Sequence, residues 1–183
     1  PNVQPTRESA SENIYMRPEA AAALEALFAG AAEDGLTLYA TSGYRSYSTQ
    51  KAIFERKLDR MSEKQANLSV AKPGYSEHQT GLAMDIEGET TKGTGLTEAF
   101  GESPEGIWAA KHCAEYGFII RYPKDKTKIT GYIYEPWHLR YVGREAAQEI
   151  TALDVTFEEY IAMVRSDRIQ WLQEETQYDD QNP

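Results

Sequence analysis

Cysteine is almost missing from this 183-residue chain, which has only Cys113. That excludes an internal disulfide. The thiol lies in "WAAKHCAEYGF", a helical pattern, and is expected to be a small buried group rather than a reactive one. No apolar run approaches the ~20 residues that cross a bilayer, and no leader peptide is visible, although a precursor could carry one upstream of Pro1. Positive charge is also scarce: 19 Lys and Arg against 29 Asp and Glu give a net charge of −10. That balance argues against nucleic acid, which is bound by clustered Lys and Arg, and against adsorption to anionic lipid. An anionic ligand would have to be held by a local cation rather than by the overall field.

What is present suits one globular domain. Hydrophobic residues make up 40% and charged residues 26% of the chain, enough to build a core. The opening "PNVQPTRESASEN" reads as a polar linker, so we divide the chain into a linker at 1–14, a domain at 15–165 and an acidic polar tail at 166–183 that is expected to fray. Residues 17–35 read as a helix with Pro18 in its first turn and Gly35 at its end. Residues 36–43 alternate as a strand. A second helix follows, capped by Ser46 or Ser48. Residues 62–77 lose all periodicity and read as a long loop, as does 89–103. "GLAMDIEG" alternates Leu82, Met84 and Ile86 against Ala83, Asp85 and Glu87, and glycines bracket it as a strand. "PEGIWAAKHCAEYG" reads as helix. "FIIRY", "GYIYE" and "LRYVG" read as strands, "REAAQEITAL" as helix, and "TFEEYIAMVRSDRIQW" as a helix with a Thr156–Glu159 capping box. The later strands are too close for helical crossovers. The fold class expected is therefore α+β, with a small antiparallel sheet flanked by helices.

Asp85 stands out, because it is a carboxylate within a run that otherwise resembles core. It could face solvent, pair with a cation or bind a metal. His78, one of three histidines, precedes it by seven residues, and His and Asp are both good zinc ligands. A zinc hydrolase needs three protein ligands, an open position and a base. "YIYEPWHLRYVG" offers His138 as the third ligand and Glu135 as the base. On a regular strand those two point to opposite faces, but Pro136 cannot donate a ladder hydrogen bond and would bend or end the strand. The alternative makes Glu135 a surface charge and His138 a partner of Trp137. His112 lies mid-helix with no acidic neighbour noted at ligand spacing and reads as structural. Arg45, at the junction of the first strand and second helix, could grip a carboxylate, stabilise charge on a carbonyl oxygen or pair with a surface acid.

Taken together, "SGYRSYSTQ", "SEHQTGLAMD" and "YEPWHLRYVG", in this order, resemble the zinc D-alanyl-D-alanine carboxypeptidases of the VanY type and the related LdcB-type L,D-carboxypeptidases, over roughly residues 15–160. The resemblance implies the fold shared with Hedgehog proteins, one zinc held by His78, Asp85 and His138, and Glu135 as the base that activates water and protonates the leaving amine. It implies that Arg45 contacts substrate and steadies the carbonyl oxygen, that Gln50, Ser76, Tyr122 and Trp137 line the substrate pocket, and that Arg140 supports the site from behind. The implied substrates are peptidoglycan stem peptides ending in D-alanine. The implied location is extracytoplasmic, and the expected state is a monomer. An endopeptidase on the same scaffold and a non-catalytic zinc-containing binding module are the rival readings.

Overall fold

The computed structural model describes residues 14–181, with side chains described as far as Gln170. The proposed linker therefore lies outside the described residues, apart from Ile14, which packs into the core. In chain order the elements are α1 (Pro18–Glu33), β1 (Leu38–Ser42), α2 (Tyr47–Leu58), α3 (Glu63–Ala66), β2 (Ala83–Gly88), α4 (Ala99–Glu102), α5 (Pro104–His112), β3 (Phe118–Tyr122), α6 (Thr127–Thr130), β4 (Glu135–Tyr141), α7 (Arg144–Leu153) and α8 (Phe157–Gln181). The four strands form one antiparallel sheet in the order β1-β2-β4-β3. The α+β class is as the periodicity indicated.

One face of the sheet meets α1 and α5. Leu24 and Leu27 of α1 pack there with Ala40, Met84, Ile86, Phe118 and Leu139 from the four strands. Burying an aliphatic side chain of this size stabilises by about 1.5–3 kcal/mol, so Met84 and Ile86 fix the register of β2. A slip of one residue would drive Asp85 into that core. The alternation sends Asp85 and Glu87 to the other face, where Ile119, α7 and the start of α8 close over the sheet. β2 is a central strand and buried along its whole length, which is why its polar residues looked out of place. Close packing also shapes the first face. A Cβ at Gly106 of α5 would stand 1.8 Å from the Phe100 carbonyl oxygen, so only glycine lets α4 and α5 approach this closely.

Several local readings need correction. "GYIYE" is a strand only at Glu135. Tyr132 and Ile133 donate their amides elsewhere, to Thr130 Oγ1 at 3.2 Å and to the Leu68 carbonyl at 2.9 Å, so no ladder forms before Glu135. Pro136 lies inside β4 rather than ending it. The 62–77 loop holds one helical turn, α3, with a Ser62–Gln65 capping box. The 89–103 loop holds α4. The last helix continues through the stretch read as a tail, as far as Gln181, from a Thr156–Glu159 capping box with bonds of 2.8 and 3.2 Å. Ser46, not Ser48, caps α2 by accepting from the Thr49 amide.

Candidate active site

Two irregularities in the sheet build the site. β1 carries an extra residue opposite β2 between Ala40 and Ser42. β4 carries two extra residues opposite β3, since Ile120 pairs with Leu139 while Tyr122 pairs with Glu135. Bulges of this kind re-aim side chains. Here the effect is that Glu135 and His138, which a regular strand would send to opposite faces, converge, with Glu135 Oε2 3.9 Å from His138 Nδ1.

Asp85 and His138 are in-register cross-strand partners, and His138 Nδ1 lies 2.9 Å from Asp85 Oδ1. His78 enters from a single helical turn, Glu77–Thr80, that Gly81 ends in the left-handed conformation at φ 70°. His78 Nδ1–H donates to the Gly43 carbonyl at 2.8 Å. A carbonyl can only accept, so this bond fixes the tautomer and leaves Nε2 facing Asp85 Oδ2 at 3.3 Å. One donor atom from each of His78, Asp85 and His138 lies within 4.8 Å of the others, and all three residues are buried. Two imidazole nitrogens and a carboxylate oxygen are a donor set that suits zinc.

The protein's own charges already prepare this group for a cation. Burial opposes ionisation of Asp85, yet the two imidazoles outweigh it and hold the carboxyl well below its ordinary range. Burial also opposes charge on His138, but Asp85 and Glu77 outweigh it and raise the ring to about 9. Glu135 behaves differently. Burial, with Asp85 adding to it against His138 and Arg45, pushes its carboxyl up to about 7, the range in which a carboxylate can exchange protons near neutral pH.

The remaining expected residues gather round one cavity of about 300 Å³. Arg45 is held there by Gln50 Oε1 at 2.8 Å and Ser42 Oγ at 2.9 Å, with its guanidinium 3.8 Å from Asp85. Gln50 donates to the Ala71 carbonyl at 2.6 Å, so its amide positions Arg45 and the 69–71 loop at once. Ser76, Tyr122 and Trp137 all line the cavity. The Tyr122 ring lies 5.0 Å from that of His138 and stacks on Tyr132 at 4.5 Å. Arg140 does not line it and instead holds Glu77 at 3.0 Å. His112 lies outside the cavity, stacked on Trp108 and bonded to Glu115 at 2.8 Å, an acidic neighbour the sequence reading passed over.

Sequence reasoning expected the 62–77 loop to shape the pocket, which it does through Ser69–Ala71, but missed Glu77, Lys57 and Tyr132–Ile133. Glu77 stands between Ser76 and His78, and its position inside the motif was the available signal. Lys57 reaches the cavity from two helical turns beyond Gln50. Ser69–Ala71 and Tyr132–Ile133 also line the cavity, and the Ile133–Leu68 backbone bond joins their two segments. Nothing local in the sequence announces that contact.

Buried ligand-type residues and an adjacent carboxylate around one cavity give this site the composition of a metallohydrolase's, on an antiparallel sheet. The chain belongs to the VanY family of D-alanyl-D-alanine carboxypeptidases, whose sequence model matches residues 13–144. Bacillus subtilis YodJ is 50% identical over 165 residues, covering 90% of this chain and 60% of YodJ, so the chain spans well under two thirds of that relative. The solved LdcB LD-carboxypeptidase is 50% identical with a TM-score of 0.82, covering 88% of this chain and 75% of that one. A mutant of the vancomycin-resistance D,D-pentapeptidase VanY, in complex with Zn(II), is 34% identical with a TM-score of 0.70, covering 88% and 97%.

Proposed function

We propose that this chain is a zinc-dependent carboxypeptidase that hydrolyses the terminal D-alanine amide of peptidoglycan stem peptides, outside the cytoplasmic membrane. The observation that carries the reading is the buried His78–Asp85–His138 group with Glu135 beside it, all four lining one cavity. His78 Nε2, Asp85 and His138 Nδ1 would hold the metal. When bound, zinc would polarise the scissile carbonyl and lower the pKa of a water to about 7.

The residues divide the remaining work. Glu135 accepts the proton of the attacking water and returns it to the leaving amine, a role its raised pKa and its place beside the ligands support. Arg45, held in a fixed orientation by Gln50 and Ser42, faces the developing negative charge on the carbonyl oxygen. A free terminal carboxylate needs a cation in a chain of net charge −10. Arg45 and Lys57 both line the cavity, and Lys57 has no ion-pair partner among the described residues.

The test is mass spectrometry of defined tetrapeptide, pentapeptide and cross-linked stem substrates incubated with zinc-loaded protein and with chelated protein. Chelator-sensitive loss of one terminal alanine is expected, and the peptide that shrinks assigns L,D or D,D preference. Cleavage of the cross-link alone would replace the carboxypeptidase with an endopeptidase. No cleavage by protein shown to hold zinc would leave a binding module.

A further inference from the structure

Behind His138, on the side away from Asp85, lies an arrangement that the proposed chemistry does not use. His138 Nε2 and Glu77 Oε2 are both buried, and neither has a hydrogen-bond partner among the described residues. They face each other at 3.8 Å, a little beyond hydrogen-bond reach. A buried polar group without a partner is costly, and here one contact would satisfy two such groups. The other oxygen of Glu77 is held firmly, by Arg121 Nε at 2.8 Å and Arg140 Nη1 at 3.0 Å. Arg121 is in turn gripped by both oxygens of Glu158, at 2.5 and 3.1 Å. Both guanidinium groups lie over the Phe157 ring, at 5.3 and 5.4 Å. Phe157 and Glu158 open α8, whose start the Thr156–Glu159 capping box sets.

We infer that Glu77 is the positioning residue of His138: it accepts a hydrogen bond from Nε2–H and so turns Nδ1, the ring's ligand atom, toward Asp85 and the cavity, while the first turn of α8 holds Glu77 in place through Arg121 and Arg140. Imidazole ligands are commonly oriented by a carboxylate on their second nitrogen. In the metal-free protein Nδ1 also carries a proton, since Asp85 Oδ1 at 2.9 Å can only accept; a bound metal would replace that proton, and Nε2 would keep its own because a bare Nε2 would turn a lone pair toward Glu77, which is repulsive. The chain of contacts also enlarges the working site. Phe157 and Glu158 lie beyond residues 13–144, the stretch that the family model matches, yet they are three contacts from a ligand-type histidine.

This inference rests on the metal-site reading above, and the experiment separates the two. The variants are Glu77→Gln, Glu77→Ala and Glu158→Gln, in the full chain. The first readout is zinc affinity by competition with a chromophoric chelator. Glu77→Ala is expected to weaken zinc by about 10–100-fold, Glu77→Gln by less because its amide oxygen can still accept, and Glu158→Gln by a few-fold. The second readout needs no metal: the His138 Nε2–H resonance in long-range ¹H–¹⁵N correlation spectra of chelated protein. It should be downfield and protected from water in the wild type, and should move upfield and exchange faster in Glu77→Gln, whose near-identical size preserves packing. Thermal midpoints of the chelated proteins show whether each variant is folded. An Nε2–H signal identical in wild type and Glu77→Gln, or unchanged zinc affinity in both folded Glu77 variants, overturns the inference. A wild type with no zinc affinity would overturn the function proposed above, while the proton signal still decides the role of Glu77.

Discussion

Replacing Glu135 with glutamine exchanges one oxygen for an amide nitrogen and keeps the volume, so it isolates chemistry from packing. Glu135 is only 7% exposed and lies 3.9 Å from a ligand-type nitrogen, but it is not part of the three-residue group whose donor atoms lie within 4.8 Å of one another. Loss of a positioned base costs about 10²- to 10⁴-fold in rate. At about 1.36 kcal/mol per tenfold, that is about 2.7–5.5 kcal/mol of barrier. The same change leaves His78, Asp85 and His138 untouched, so zinc stoichiometry should stay at one per chain. The assay pairs turnover of the preferred stem peptide, followed by mass spectrometry, with a zinc titration and a far-ultraviolet circular dichroism spectrum. Activity within tenfold of wild type would refute the assignment and place the base elsewhere. Loss of zinc from a folded variant would make Glu135 a ligand instead.

Other outcomes follow from the same geometry. Arg45→Lys keeps the charge but cannot reach Gln50, Ser42 and the cavity together, so kcat/KM should fall by roughly 10²-fold or more; a change within threefold would show that only the charge matters. Cys113 is 3% exposed and burial pushes its thiol up to about 12. Folded protein should therefore resist iodoacetamide at pH 8 and be alkylated stoichiometrically in urea, and labelling of the folded form at the unfolded rate would contradict its burial. Gly106→Ala would place a methyl group 1.8 Å from the Phe100 carbonyl oxygen, a backbone atom that cannot swing aside. Urea unfolding should show a loss at or above the upper end of the ~1–3 kcal/mol typical of overpacking, and an unchanged midpoint would mean that α4 moves freely.

How much of this was legible in the sequence depended on how local the determining contacts are. α1 and α5 follow from local helix formers and end signals, α7 from its helical pattern, and β2 from alternation between bracketing glycines, although β2 is in fact buried along its whole length. Of the cavity residues named from the sequence, all but Tyr122 lie in three short motifs. The start of β4 was misplaced because the amide of Ile133 is used by Leu68, a partner with no local signature. Glu77 stood inside a quoted motif and was still overlooked. Its meaning comes from Arg121, Arg140 and His138, which only the folded sheet brings to it. The convergence of Glu135 and His138 was open at the level of pattern, because strand periodicity sends positions three apart to opposite faces.

That convergence makes the segment from Glu135 to His138 sensitive to length rather than only to composition. Its two surplus residues relative to β3 act as a spacer, and Pro136 and Trp137 fill it. Side chains there could be exchanged for others of similar bulk with graded losses. Removing Pro136 would instead reverse the face on which the base emerges while sparing Trp137, which packs in the core. The outcome would be a folded, metal-competent and inert protein. In this fold the distance along the chain between two catalytic groups is itself a structural element, and deletions, more than substitutions, would reveal it.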